Sequence, residues 1–127
     1  MAGPLRFPRS ARLLAKADFD RAFQGGTRLG GQFFRLLVVI EPGTPARLGA
    51  ALAKRSIPHA VDRNRIRRQL REAFRQRQAE LAARSLVFTA KPEAAATPNP
   101  ALRADIDRLL TRAAALPLDR PAGTMSR

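Results

Sequence analysis

Residues 62–77 read DRNRIRRQLREAFRQR. At about 100° per residue, a helix over this stretch puts Ile66, Leu70, Ala73 and Phe74, continued by Leu81, on one face. Asn64, Arg67, Arg68, Arg71 and Arg75 fall on the opposite face. One side is built to pack and the other is a row of guanidinium groups. A surface helix built for stability mixes charge signs at i,i+4. Here Glu72 is the only acid between Arg63 and Arg77. A plain solvated basic face is the bland reading of such a helix. Uncompensated guanidinium groups repel one another unless phosphates lie between them, and Arg63 and Arg65 stand where free N–H groups at a helix start favour an anion. The stretch predicts a helix from a cap at Asp62 to about Ala83, packed by one side and binding nucleic acid by the other.

Outward from this helix the chain divides into short elements. Residues 11–24 (ARLLAKADFDRAFQ) read as a first helix, with Phe19 and Phe23 on one face and Gly25-Gly26 as its stop. Residues 32–40 (QFFRLLVVI) read as a strand that is apolar on both faces except at Arg35. Residues 47–54 (RLGAALAK) read as a second strand, paired to the first by a hairpin through residues 42–45. Its small residues are poor strand formers and suit a place where something approaches the sheet closely. Residues 56–61 form a link. Residues 85–91 (SLVFTAK) give another strand and 93–100 a loop. Residues 100–115 form an amphipathic helix with Ile106, Leu109, Leu110 and Ala113 inward. Residues 1–10 and 117–127 read as tails around one domain, 11–116. The pattern is that of an α+β sandwich.

Composition narrows the function. The chain has 127 residues, 45% of them apolar, and 24 Lys plus Arg against 10 Asp plus Glu, a net charge of +14. Such charge self-repels in the folded state and is relieved by a polyanion. Nucleic acid is the expected polyanion, with an acidic membrane surface as the competitor. Only Lys16, Lys54 and Lys91 are lysines. The arginines can fork onto phosphate and stack on bases. With no Cys, disulfides, thiolate zinc sites and cysteine nucleophiles are excluded. The longest apolar run, Leu36-Leu37-Val38-Val39-Ile40, is far too short for a membrane span. The N-terminus lacks the apolar region of a signal peptide. A cytoplasmic protein is expected. His59, the only histidine, has no Ser or Cys beside it to activate. Asp18 and Asp20 point to different faces of a helix. No catalytic residue and no metal site is expected in the chain.

Arg63-Asn64-Arg65-Ile66-Arg67-Arg68 followed by Leu70-Arg71-Glu72-Ala73-Phe74-Arg75 closely resembles the signature of the bacterial ribonuclease P protein subunit. Arg12-Leu13-Leu14 with Asp18-Phe19 and Phe23 looks like the family's first helix. Arg47-Leu48-Gly49 with Lys54-Arg55 looks like its second long strand, and Val87-Phe88-Thr89-Ala90-Lys91-Pro92 like its last strand. The resemblance implies an α-β-β-β-α-β-α order, a left-handed βαβ crossover and the fold of ribosomal protein S5 domain 2. It also implies a third short strand, placed near Ala60-Val61. The family's holoenzyme removes the 5′ leader of precursor tRNA by phosphodiester hydrolysis, with the catalytic centre and its Mg²⁺ in the RNA subunit.

Two surfaces follow from the resemblance. Arg63, Asn64, Arg65, Arg67, Arg68, Arg71 and Arg75 are expected to face the ribonuclease P RNA. Phe19, Phe23, Phe34, Leu36, Ala51, Ala53, Lys54 and Arg55 are expected to line a cleft for the leader of precursor tRNA, where bases stack on aromatic rings. Read from the residues alone, Phe19 and Phe23 remain open to a plain core role. The basic helix alone fits a ribosomal-type structural RNA-binding protein equally well. No membrane and no small-molecule substrate is expected.

Overall fold

The computed structural model describes residues 16–118, with side chains from Phe19 onward. The expected tails and the start of the first helix at 11–15 lie outside the described residues, apart from Pro117 and Leu118. The elements are α1 (Lys16–Gly25), β1 (Thr27–Gly30), β2 (Phe34–Ile40), β3 (Arg47–Ala51), α2 (Ala60–Gln76), β4 (Arg84–Ala90) and α3 (Asn99–Ala114), with 3-10 turns at Gln78–Leu81 and Pro92–Ala96. The α+β class and the α-β-β-β-α-β-α order are as expected. The extra strand lies elsewhere. It is β1, while Ala60 and Val61 form the first turn of α2. Four residues between glycines, with only Leu29 buried, carry too little period to be read as a strand.

Strand order is β1-β2-β4-β3. The expected hairpin pairing of residues 32–40 with 47–54 does not form. β4 lies between them, antiparallel to β2 and parallel to β3. The reason is burial. β2 is apolar on both faces except at Arg35, and β4 carries Leu86 and Phe88 on one face and Val87 on the other, so each loses most contact with water at the centre of the sheet. β3, with Gly49, Ala50 and Ala51, has little to bury and takes an edge. β3, α2 and β4 make the βαβ crossover.

Successive strand residues alternate between faces, and register carries this parity across the sheet. Phe34, Leu36 and Val38 pair with Ala90, Phe88 and Leu86; Leu48 and Ala50 pair with Leu86 and Phe88. This face meets α2 and α3 in the main core, which holds Ile66, Leu70, Phe74, Leu102, Ile106 and Leu109. Phe34 and Phe88 pack edge to face with ring centroids 6.0 Å apart. The other face carries Leu37, Val39 and Val87, on which Ala22 of α1 is buried in a second, smaller cluster.

Helix ends depart from the sequence reading in physical detail. Asp62 is not the cap of α2. His59 occupies the cap position without a side-chain hydrogen bond, and Asp62 lies in the first turn, where its charge favours the helix dipole. The helix stops at Gln76 rather than near Ala83. Arg77 leaves helical geometry there and binds the Asp107 carbonyl (2.9 Å), Thr111 Oγ1 (2.8 Å) and Glu80 (3.0 Å). Leu81 still reaches the core through the 3-10 turn. Arg84 is almost fully buried and donates to the carbonyls of Glu80, Ala82, Ala113, Ala114 and Leu116. Desolvation lowers its pKa from the ordinary arginine value, and the ring of carbonyls offsets that cost by accepting from the charged form.

The turn between β1 and β2 is fastened by a buried carboxylate. Asp105 of α3 has no exposed surface and accepts backbone N–H bonds from Gln32 (2.9 Å), Phe33 (2.9 Å) and Phe34 (3.1 Å). Arg108 pairs with it at 2.7 Å. A Cβ at Gly31 would stand 2.7 Å and 2.8 Å from the two Asp105 carboxylate oxygens, so glycine is needed there for close approach. Replacing Asp105 with Ala should lower the free energy of unfolding by roughly 3–5 kcal/mol, because three donors lose a charged acceptor. Urea denaturation measures it, and a loss below about 1 kcal/mol would contradict the role given to Asp105.

Candidate nucleic-acid interface

α2 presents its polar side outward as the wheel predicts. Ile66, Leu70, Ala73 and Phe74 are buried. Asn64, Arg68 and Arg71 are exposed, and Arg67 and Arg75 are half-buried. The helix forms because its good formers alternate with a packing face. Its one-sided charge has little local compensation. Glu72 pairs with Arg75 at 2.7 Å, leaving the middle of the stripe without a carboxylate. Among the described residues, the side chains of Asn64, Arg67, Arg68 and Arg71 make no hydrogen bond or ion pair. The guanidinium groups of Arg68 and Arg71, with Arg67 half-buried beside them, therefore keep their donors free of protein partners among the described residues.

Arg63 and Arg65 stand apart from that row. Arg63 Nη1 donates to the carbonyls of Ile57 (2.8 Å) and Pro58 (2.9 Å), holding the link that leads into the helix. Arg65 reaches across to the Pro92–Ala96 turn and the start of α3. Its Nη1 donates to the Thr97 carbonyl (2.9 Å) and Asn99 Oδ1 (2.7 Å), and its Nη2 to the Ala95 carbonyl (3.0 Å). The Arg-Asn-Arg run thus divides its labour: the two arginines fasten α2 to its neighbours, and Asn64 between them faces out.

The expected cleft is only partly assembled by the residues named for it. Phe19 and Phe23 lie on α1 and both face openings. Phe34 and Leu36 do not join them. Both are fully buried on the sheet's other face, in the main core. The period of two explains this: a strand that buries Phe34 and Leu36 under α2 and α3 must turn Arg35 and Leu37 toward α1. Ala51 is on the α1 side, packed against the second cluster. Ala53, Lys54 and Arg55 lie exposed just past the end of β3.

Two of the openings along α1 contain its phenylalanines. One, of about 220 Å³, lies beside the edge strand β3 and is lined by Phe19, Leu48, Gly49, Ala50, Arg67, Leu70 and Arg71. The other, of about 300 Å³, lies beside β1 and is lined by Phe23, Arg28, Arg35, Leu37 and Thr89 among others. Phe23 is 44% exposed, unusual for so large an apolar ring. The small residues of β3 are thus explained: Gly49 and Ala50 leave the first opening between α1 and α2, where Phe19 meets Arg67 and Arg71. The two surfaces expected separately share a border there. Arg28, Arg35, Leu37 and Thr89 were not among the sequence candidates. Extending the alternation from Phe34 would have found Arg35 and Leu37. Arg28 and Thr89 needed the register of β1 and β4.

Among the described residues no three His, Cys, Asp or Glu side chains come together to hold a metal ion. No described helix is long and apolar enough to cross a membrane.

The family model for ribonuclease P matches residues 7–114. The ribonuclease P protein component of Xanthomonas axonopodis pv. citri (strain 306) is 42% identical over 120 residues, covering 94% of this chain and 82% of that protein. That of Salmonella arizonae is 40% identical over 108 residues, covering 85% of this chain and 91% of that protein. The RNase P protein of Staphylococcus aureus superposes with a TM-score of 0.75 at 24% identity, over 83% of this chain and 96% of that one. The RNase P protein of Thermotoga maritima gives 0.70 at 24% identity, over 80% and 96%. These two likenesses show a shared fold.

The geometry separates fastening arginines from free ones. Arg65→Ala should cost roughly 1–3 kcal/mol of stability through its lost carbonyl partners. Arg68→Ala and Arg71→Ala should stay within about 0.5 kcal/mol of the parent. Thermal and urea unfolding of the three variants check this; equal losses at all three positions would contradict the division.

Proposed function

The chain belongs to the ribonuclease P protein family, and from that premise we propose that it binds the catalytic RNA of ribonuclease P through α2 and the 5′ leader of precursor tRNA along the α1 side of the sheet. It is a protein subunit of an RNA-processing enzyme, and its partners on this reading are ribonuclease P RNA and precursor tRNA. The observation that carries the reading is the outward row of Arg67, Arg68 and Arg71, free of protein partners among the described residues.

Each guanidinium laid against a phosphate displaces condensed counterions, so binding falls steeply with salt. The openings beside α1 supply what a single strand needs. Phe19 and Phe23 offer faces for stacking, worth about 1–3 kcal/mol per base. Arg28, Arg35, Lys54 and Arg55 offer charge along the path. Phe34 and Leu36 have no part in this path, since the core holds them. Hydrolysis is assigned to the RNA subunit with its Mg²⁺. Among the described residues no His, Asp and Glu side chains gather into a set that could hold that metal. The protein's contribution is then positioning: a leader held on the protein and an RNA docked to α2 keep the scissile bond in place and lower the Mg²⁺ needed to do so.

Reconstitution tests the reading. Added to a bacterial ribonuclease P RNA at low Mg²⁺, the protein should raise the rate of 5′ processing of precursor tRNA, and no increase would overturn it. In the same system Arg68→Ala should reduce the slope of log affinity for the RNA subunit against log salt by about one.

A further inference from the structure

Glu41, the first residue past β2, closes a polar cluster that joins three elements. Its carboxylate is ion-paired with Arg21 of α1. Its Oε1 accepts from Nη2 of Arg47 on β3 at 3.0 Å and lies 3.5 Å from Oγ of Ser85 on β4, which itself accepts from Arg47 Nε at 3.2 Å. The main chain of Glu41 is fixed as well. Its N–H donates to the Ala83 carbonyl (2.7 Å), and its carbonyl accepts from Thr44 N (3.2 Å) and Oγ1 (2.7 Å). Glu41 is anchored to the sheet at both ends, with its side chain only 20% exposed, while Arg21 on the helix is 50% exposed.

The apolar grip on α1 is small by comparison. Ala22 is buried on Leu37, Val39 and Val87, with Phe19 and Ala51 packed alongside. Most of a helix's stability in a protein comes from packing rather than from its own turns, so the seating of α1 depends on what the sheet offers. Phe19 and Phe23 flank Arg21 by two residues on either side. Wherever the Arg21 guanidinium is held, the two rings are held with it.

We propose that Glu41 is a positioning residue: by gripping Arg21 it seats α1 on the sheet so that Phe19 and Phe23 border their openings at a fixed spacing for a single RNA strand. The role rests on the leader-binding reading above. Glu41 touches no RNA in this account, and as a carboxylate it would repel phosphate. That gives the idea a sign. By charge alone, removing Glu41 from a basic protein strengthens RNA binding; by positioning, it weakens leader recognition.

The experiment uses the reconstituted holoenzyme, with affinities for a precursor tRNA and for its mature product. Glu41→Gln should lower the preference for precursor about 3- to 10-fold. Arg21→Gln should match it, Arg21→Lys should keep the preference, and the Arg21→Gln, Glu41→Gln double variant should be no worse than either single. Hydrogen exchange in the free Glu41→Gln protein should show α1 less protected with β2 and β4 unchanged. An unchanged or raised precursor preference in Glu41→Gln, fully additive losses in the double variant, or intact α1 protection would overturn the proposal. A parent holoenzyme with no precursor preference would instead sink the leader reading, and α1 exchange would then decide the seating by Glu41 on its own.

Discussion

β2 and β4 carry apolar residues on both faces, and a sheet with such strands at its centre needs cover on both sides. That constraint arranges the molecule. The face carrying Phe34, Leu36, Val38, Leu86 and Phe88 is covered completely, because α2 and α3 lie side by side on it. The opposite face carries less apolar surface, since Arg28, Arg35 and Thr89 share it with Leu37, Val39 and Val87. Among the described residues α1 lies over its middle, with openings beside β3 and beside β1.

The same constraint decides which side of α2 meets solvent. Packing Ile66, Leu70 and Phe74 on the sheet leaves Asn64, Arg68 and Arg71 no interior to enter. Arg67 and Arg71 reach the rim of the opening beside β3, so the basic row and the aromatic face of α1 become one continuous surface. The edge position of β3 is part of this. Larger side chains at Gly49 and Ala50 would fill the space where Phe19 faces the two arginines. Arginines elsewhere are used differently. Arg63, Arg65 and Arg84 each collect carbonyls at links, turns and helix ends, and Arg77 ties the end of α2 to the Asp107 carbonyl within α3, so a large positive charge coexists with a stable fold.

Much of this was legible in the chain. The face of α2 that packs, the inward residues of α3 and the elements other than β1 follow from apolar periods that are long enough to read, while the third strand came into the order only through the family resemblance. The exposed row of Arg68 and Arg71 followed from the same wheel. What failed shares a cause. The place of β1, the insertion of β4 between β2 and β3, and the burial of Phe34 and Leu36 all depend on pairing between distant strands, which no local pattern encodes. A four-residue strand between glycines has no period to detect. A hairpin reading of residues 42–45 is natural until β4, with apolar residues on both faces, claims the central place. The roles of Arg63 and Arg65 could not be separated from those of Arg67 and Arg68 without the Pro92–Ala96 turn, which lies about thirty residues away along the chain.

The role proposed for the protein requires that α2 meet RNA with its outward side. Because the chain has no cysteine, a single one can be placed at will and loaded with an iron chelate that cuts nearby RNA by hydroxyl radicals. With the chelate at position 68 on α2, ribonuclease P RNA bound to the protein should be cut at a few discrete sites. With it at position 104, exposed on α3, the RNA should be left intact. Cutting from position 104 and none from position 68 would contradict the account.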